Sequence, residues 1–176
     1  MQRKVAPFVL TQLASFTSVT AGSMVFIAIP WIALEISGSA ASAGLVVALT
    51  AIPGLIVIPV IGSLIDKFGR RRVAIWAEIV TAVLTMILPL VALLFGLNLF
   101  WLILLATLKN VIAPGGPTAR KSLVPDVAIP AKMTLDRANS IHEAVFATGF
   151  AFGPALATFC IALIGSANTF FVVAFF

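Results

Sequence analysis

Five long, predominantly apolar stretches dominate this chain, and they decide the solvent in which it can fold. Apolar runs longer than about 18 residues read as transmembrane helices. The first covers 5–34, too long for a signal peptide, whose apolar core spans about 7–15 residues. The second covers 41–65 and the third 73–95. The fourth starts at Leu99, contains Lys109, and ends at Ala113, or at Ala119 if Pro114 is tolerated within it. The fifth covers 135–164. A sixth opens at 168 and reaches Phe176, which reads as an incomplete, truncated span. Only 10% of residues are charged and 61% are hydrophobic, with a mean hydropathy of +1.18. A soluble domain carries about 25% charged residues, so lipid is the expected surroundings.

The few charges are not scattered. Ten of the eleven Lys and Arg lie between apolar runs: Arg3 and Lys4, then Lys67 with Arg70, Arg71 and Arg72, then Arg120, Lys121, Lys132 and Arg137. The alternate connections, 35–40, 96–98 and 165–167, have none. By the positive-inside rule this predicts a multi-pass arrangement with a cytoplasmic N-terminus. The same clustering argues against nucleic acid as the partner of the net +5 charge. One cysteine, Cys160, in an apolar run, excludes an internal disulfide and reads as a packing residue. With one histidine and no ligand cluster, neither a metal, a cofactor nor an enzyme is expected.

Prolines punctuate the spans at Pro30, Pro53, Pro59, Pro89 and Pro154. Each removes a backbone donor and tends to bend its helix. Bends of that kind suit a moving bundle as well as ordinary packing.

The seam between the second and third spans reads GSLIDKFGRRR. Asp66 falls at a helix C-terminus, where the last carbonyls already place negative charge, so a cationic or helix-N-terminal partner is expected. Gly69 permits a sharp turn that brings Arg70 back towards Asp66 as a latch, while Arg71 and Arg72 read as solvated. Gly62, Leu64, Asp66, Lys67, Gly69, Arg70 and Arg71 resemble the loop motif of the major facilitator superfamily, Gly-x-Leu-x-Asp-Arg/Lys-x-Gly-Arg-Arg/Lys. The resemblance implies a gate that holds an outward-open state by gripping the C-terminal half of a transporter.

A second stretch, GFAFGPALAT, places Gly149 and Gly153 four apart with Pro154 beside them. Glycines at that spacing share a face and admit a neighbouring helix closely. The stretch resembles the family's antiporter motif, Gly-x-x-x-Gly-Pro-x-x-Gly-Gly, with Ala157 and Thr158 where its last two glycines would be. In the family that motif marks exporters. The wider segment 122–157, with its Leu-Val-Pro, Arg-Ala-Asn-Ser and Gly-Pro-Ala-Leu-Ala, is similar to a branch that includes macrolide efflux pumps and the enterobactin exporter.

Ionisable groups within a bilayer cost about 2.5–3.5 kcal/mol each on insertion scales, so each is a functional suspect. Lys109 lies near the arginine of the family's helix-four motif, although the Gln-Gly that follows there is absent here. It reads either as a coupling residue or as a lysine snorkelling to the cytoplasm. His142 and Glu143 share a face about 120° wide with Asn139, Phe146, Gly149, Phe150 and Gly153, as coupling groups or in a wet mouth. Glu78 is expected to pair with the arginine cluster, and Glu35 to be solvated. Gln12, Ser15, Ser18, Gly22 and Ser23 form a stripe about 140° wide on the first helix. The resemblance makes this stripe a cavity wall; local hydroxyl–backbone bonding is the alternative.

The expectation is an all-α polytopic membrane protein, the N-terminal six-helix bundle of the major facilitator fold with its sixth helix truncated. By resemblance it exports an amphipathic small molecule of drug, macrolide or siderophore type by alternating access, as a proton-coupled antiporter. Its implied partners are the bilayer, the solute and a C-terminal half. The alternative is a truncated, non-transporting module that packs against another membrane protein.

Overall fold

The computed structural model describes residues 4–176. Arg3, counted above among the cations before the first span, lies outside the described residues.

Helix α1, Ala6–Ser37, starts on Pro7 near its N-terminus, where a missing N–H costs nothing, and ends at Gly38. Helix α2, Ala40–Phe68, is capped by the Ser39 hydroxyl, which accepts from the Ser42 N–H at 3.4 Å. Gly69, at φ 87°, is all that separates α2 from α3, Arg70–Phe95. A side chain there would be strained, and without that turn α3 could not fold back beside α2. Helix α4, Leu99–Ile112, is capped by Asn98, which accepts from the Trp101 N–H at 3.0 Å.

A turn at 113–114 separates α4 from α5, Gly115–Ala128, and the pair together makes one apolar span, Leu99–Ala128. This corrects the expected end of the fourth span, which runs well past Ala119. Arg120 does not stop it, because that charge is neutralised within the bundle. Helix α6, Leu135–Ile164, follows a Thr134 cap, and α7, Thr169–Phe175, is short.

Five segments are long and apolar enough to cross a membrane: Ala6–Ser37, Ala40–Phe68, Arg70–Phe95, Leu99–Ala128 and Leu135–Ile164. Their connections alternate between two ends of the bundle. At the basic end the Lys4 N–H donates to Pro130 O at 3.0 Å, and Arg70 reaches Asp126. At the other end Trp31 Nε1 donates to Glu35 Oε1 at 2.7 Å and Ser166 donates to Glu35 Oε2. Glu35 is therefore a tie between α1 and the α6–α7 turn rather than merely solvated.

Helix α1 is central, packed along α6 and also against α2, α4, α5 and α7. The largest apolar cluster gathers Met24, Ile32, Leu102 and Phe170, with Cys160 among its buried members. Outward faces are equally apolar: Leu55, Ile56, Trp76, Leu94 and Phe159 are all exposed. Buried positions meanwhile include Gln12, Ser15, Thr20, Thr50, Lys109, Arg120 and His142. Polar groups inside and apolar groups outside is the arrangement that lipid selects, since only neighbouring protein can satisfy a polar atom in hydrocarbon.

Candidate functional site

One cluster of charge ties three helices together. Arg120, on α5, is 5% exposed, and its guanidinium pairs with Glu78 Oε1 on α3. Arg120 Nη2 donates to Ser18 Oγ of α1 at 2.6 Å, and Ser18 in turn donates to Glu78 Oε1 at 2.9 Å. Three helices are thus tied by one hydroxyl, one guanidinium and one carboxylate. Local sequence makes this approach possible: a Cβ on Gly116 would fall on the Glu78 carboxyl group, and one on Gly115 would sit 3.1 Å from the Ala77 Cβ. The two glycines clear the path by which Glu78 reaches Arg120.

Around this cluster lie two adjoining cavities that share Val19, Pro117 and Phe146. The outer lobe, about 310 Å³, is lined by Ser15, Arg120, Lys121, His142 and Glu143. The inner lobe, about 250 Å³, is lined by Ser18, Ser23, Glu78, Thr81, Thr85, Lys109 and Phe150. Phe146 and Phe150 stack at 6.4 Å with planes 7° apart, and Phe26 lies 6.5 Å from Phe150. The result is an aromatic wall facing a charged one. Volumes of this order, about 300–1,000 Å³, are those of small-molecule sites.

Lys109 is 6% exposed and makes no hydrogen bond or ion pair with any described residue. Its neighbour Asn110 turns the other way, donating to Thr50 O of α2 at 3.0 Å. Pro114 cannot donate to Asn110 O. That carbonyl instead rests against Gly54, where a Cβ would come within 2.6 Å of it.

The stripe on α1 divides. Ser18 joins the charged cluster, and Gly22 and Ser23 line the inner lobe. Ser15 lines the outer lobe, with its hydroxyl donating to Thr11 O at 2.9 Å. Gln12 faces away from both lobes, and its Oε1 accepts from His142 Nδ1 at 3.0 Å. Glu143 is exposed and takes Lys121 Nζ at 2.8 Å. His142 and Glu143 therefore have separate partners although they are adjacent.

Gly149 and Gly153 are the contact of α6 with α1. A Cβ on Gly153 would come within 2.6 Å of Thr20 O, and one on Gly149 within 3.1 Å of Phe16 O. Ser23 Oγ and Thr20 Oγ1 both donate to Gly149 O, at 3.3 and 3.4 Å. Pro154 offers no N–H to Phe150 O, while the α1 hydroxyls reach the carbonyl one residue earlier, Gly149 O.

At the basic end the loop residues are dispersed. Gly62 has open space beside it, and Leu64 is 39% exposed. Lys67 lies over the Phe68 ring at 5.5 Å, and Arg71 is exposed. The expected local latch is corrected: Arg70 Nη1 donates to both oxygens of Asp126 on α5, at 3.2 and 3.1 Å, and not to Asp66. Once α3 starts at Arg70, its side chain projects across to α5 rather than back along α2. Asp66 is exposed and has no partner among the described residues.

The partner of Glu78 is likewise corrected. It pairs with Arg120 and not with the 70–72 cluster, because α5 continues as helix through the position expected to be loop. Arg120 and Asp126 are the residues that sequence reasoning missed. The available signal was Gly115-Gly116, a pair of small residues whose use is a close approach, beside an in-membrane carboxylate that required a cation. Among the described residues, no group of three or more His, Cys, Asp or Glu stands together as a metal site.

A bundle that turns apolar faces outward and encloses a charged, aromatic-walled cleft is a multi-pass helical membrane protein. The chain belongs to the Major Facilitator Superfamily, whose family model matches residues 12–176. It is 36% identical over 174 residues to the multidrug efflux pump Tap of Mycolicibacterium fortuitum, covering 97% of this chain and 42% of that protein. It is 34% identical over 171 residues to the multidrug efflux pumps Tap of Mycobacterium bovis and Mycobacterium tuberculosis, covering 96% of this chain and 41% of theirs. The chain thus spans about two-fifths of the length of these relatives. No solved structure matches it.

Proposed function

We propose that this chain is the N-terminal half of a drug exporter that moves amphipathic small molecules by alternating access. The observation that carries the reading is the two-lobed cleft, with charged and hydroxyl groups from α1, α3, α4 and α5 facing the Phe146–Phe150 wall. A solute with an apolar body and a polar head fits such a surface, while a sugar would leave the aromatic wall unused. Relatives named multidrug efflux pumps support the same class. A C-terminal half would close the cleft from the opposite side, as in transporters that rock two halves about a midplane site.

In this reading residues 1–176 form one transmembrane domain, with the N-terminus and the basic end in the cytoplasm. The loop residues Gly62–Arg71 form the gate, and Asp66, without a partner among the described residues, is the group that grips the other half. Gly149, Gly153 and Pro154 shape the α1–α6 seam of an antiporter. Protons drive export, with Lys109, His142 and Glu143 as coupling groups beside Glu78.

The test is dye accumulation in cells stripped of their own pumps and expressing the full-length protein. Expressing cells should hold less N-phenylnaphthylamine, an uncharged amphipathic dye, than controls, and a protonophore should abolish the difference. Equal accumulation in both would mean a packing module that moves no solute. Export that survives the protonophore would remove the proton from the scheme and leave the exporter.

A further inference from the structure

Counted by sign, the charged groups around the cleft do not balance. Lys109, Arg120 and Lys121 are cations, and Glu78 and Glu143 are carboxylates. Lys121 is matched by Glu143 at 2.8 Å, and Arg120 by Glu78. Lys109 remains, 6% exposed and without a hydrogen bond or ion pair to any described residue. Glu78 is the carboxylate lining the inner lobe with it, but its Oε1 already receives Arg120 and Ser18. One carboxylate therefore faces two cations.

Neither its chain neighbour Asn110 nor the threonines of the inner lobe relieve the ammonium. Asn110 is committed to Thr50 on α2, and the Thr85 hydroxyl is bonded within its own helix to Thr81 O at 2.7 Å. The Thr81 hydroxyl, buried at the same lobe, has no hydrogen-bond partner among the described residues. A buried cation without an anion costs several kcal/mol, and one that lines a cavity recovers that cost when an anion enters. Phe146 and Phe150 line the same lobe, and their rings offer an apolar face to the remainder of such a molecule.

We infer that Lys109 is the recognition point for an acidic group, a carboxylate, sulfonate or phosphate, carried by an amphipathic solute whose apolar body lies against Phe146 and Phe150. The inference rests on the export reading above and adds the charge of the cargo. Lys109 supplies a charge-assisted hydrogen bond, Thr81 is the nearby spare hydroxyl, and the Arg120–Glu78 pair holds the lobe open without competing for the anion.

Two probes with the same aromatic body separate charge from greasiness: anilinonaphthalene sulfonate and its uncharged parent, N-phenylnaphthylamine. Binding of each is measured to the full-length protein in phosphatidylcholine liposomes, against protein-free liposomes of the same lipid. The wild type binds the sulfonate saturably. Lys109→Gln weakens it about tenfold, the loss expected of one charge-assisted bond. The uncharged parent stays within about twofold, and Lys109→Arg retains the sulfonate, since arginine keeps the charge. The uncharged parent also reports that each variant is folded.

If Lys109→Gln leaves the sulfonate unchanged, or weakens both probes alike, the inference is overturned. Export of the uncharged parent by energised cells expressing the full-length wild type distinguishes the two levels. A wild type that exports the parent while Lys109→Gln shows no charge selectivity defeats only the acidic cargo. A wild type that binds neither probe and exports no parent dye defeats the export reading itself.

Discussion

Glu78 and Arg120 set the sharpest expectation for a single side chain. Removing one member of a buried pair leaves the other charge uncompensated, which costs about 3–5 kcal/mol, and the partly open Glu78 places it at the low end. Glu78→Gln in the full-length protein should therefore lower its melting temperature in detergent well below that of the wild type. Glu78→Gln combined with Arg120→Met should recover most of the loss, because no lone charge then remains. If the double variant melts no higher than the single one, the pair is not what holds these helices. Arg70 and Asp126 behave differently. Both are about half exposed, and pairs of that kind contribute about 0–1 kcal/mol, so Arg70→Ala should barely move the same melting curve. Asp66, with no partner among the described residues, should be as silent in melting when changed to Asn. Loss of export in Asp66→Asn with unchanged melting would assign it to the gate; unchanged export would remove it from there.

Between elements, contacts are decided by the smallest side chains. Gly153→Ala would press a methyl group against Thr20 O and Ser23 Oγ, so α6 must move away from α1. Overpacking of this kind costs about 1–3 kcal/mol. Gly62→Ala, with open space beside it, should cost far less, and the two melting curves compared side by side make the check. Equal melting would mean that the α1–α6 seam is looser than its geometry. The spacing of Gly149, Gly153 and Pro154 made a close approach legible in the sequence, although not which helix would approach. That depends on how α1 settles against α6, and a stripe of Gln12, Ser15, Ser18 and Ser23 is compatible with several neighbours. Glu78 and Arg120 were harder to foresee. They stand on different helices and meet only because α5 continues past a turn at 113–114 that reads as an ending.

For the molecule as a whole, the reversal of polarity was the most legible property. Long apolar runs, with ten of the eleven cations between them and on alternate connections, left few architectures other than helices crossing a bilayer. The number of spans and the basic end follow from counting, whereas the shape of the cleft follows from tertiary approach and could not be counted. The same reversal predicts behaviour in solution. With Leu55, Ile56, Trp76, Leu94 and Phe159 facing outward, the full-length protein should lose its cooperative melting transition when detergent is diluted below its micelle concentration. Retention of that transition in plain buffer would contradict a lipid-facing surface.

The interruption at 113–114 has a mechanical consequence. Lys109 and Arg120 ride on separate rods, α4 and α5, joined at a proline. The fourth span is a jointed arm and not a stiff post. The Arg120 rod is tied to α1 and α3 through Ser18 and Glu78, while the Lys109 rod is clasped to α2 through Asn110 and Gly54. The two walls of the cleft are therefore fastened to different helices, and the joint between them is the one place where the fourth span lacks a continuous helical ladder.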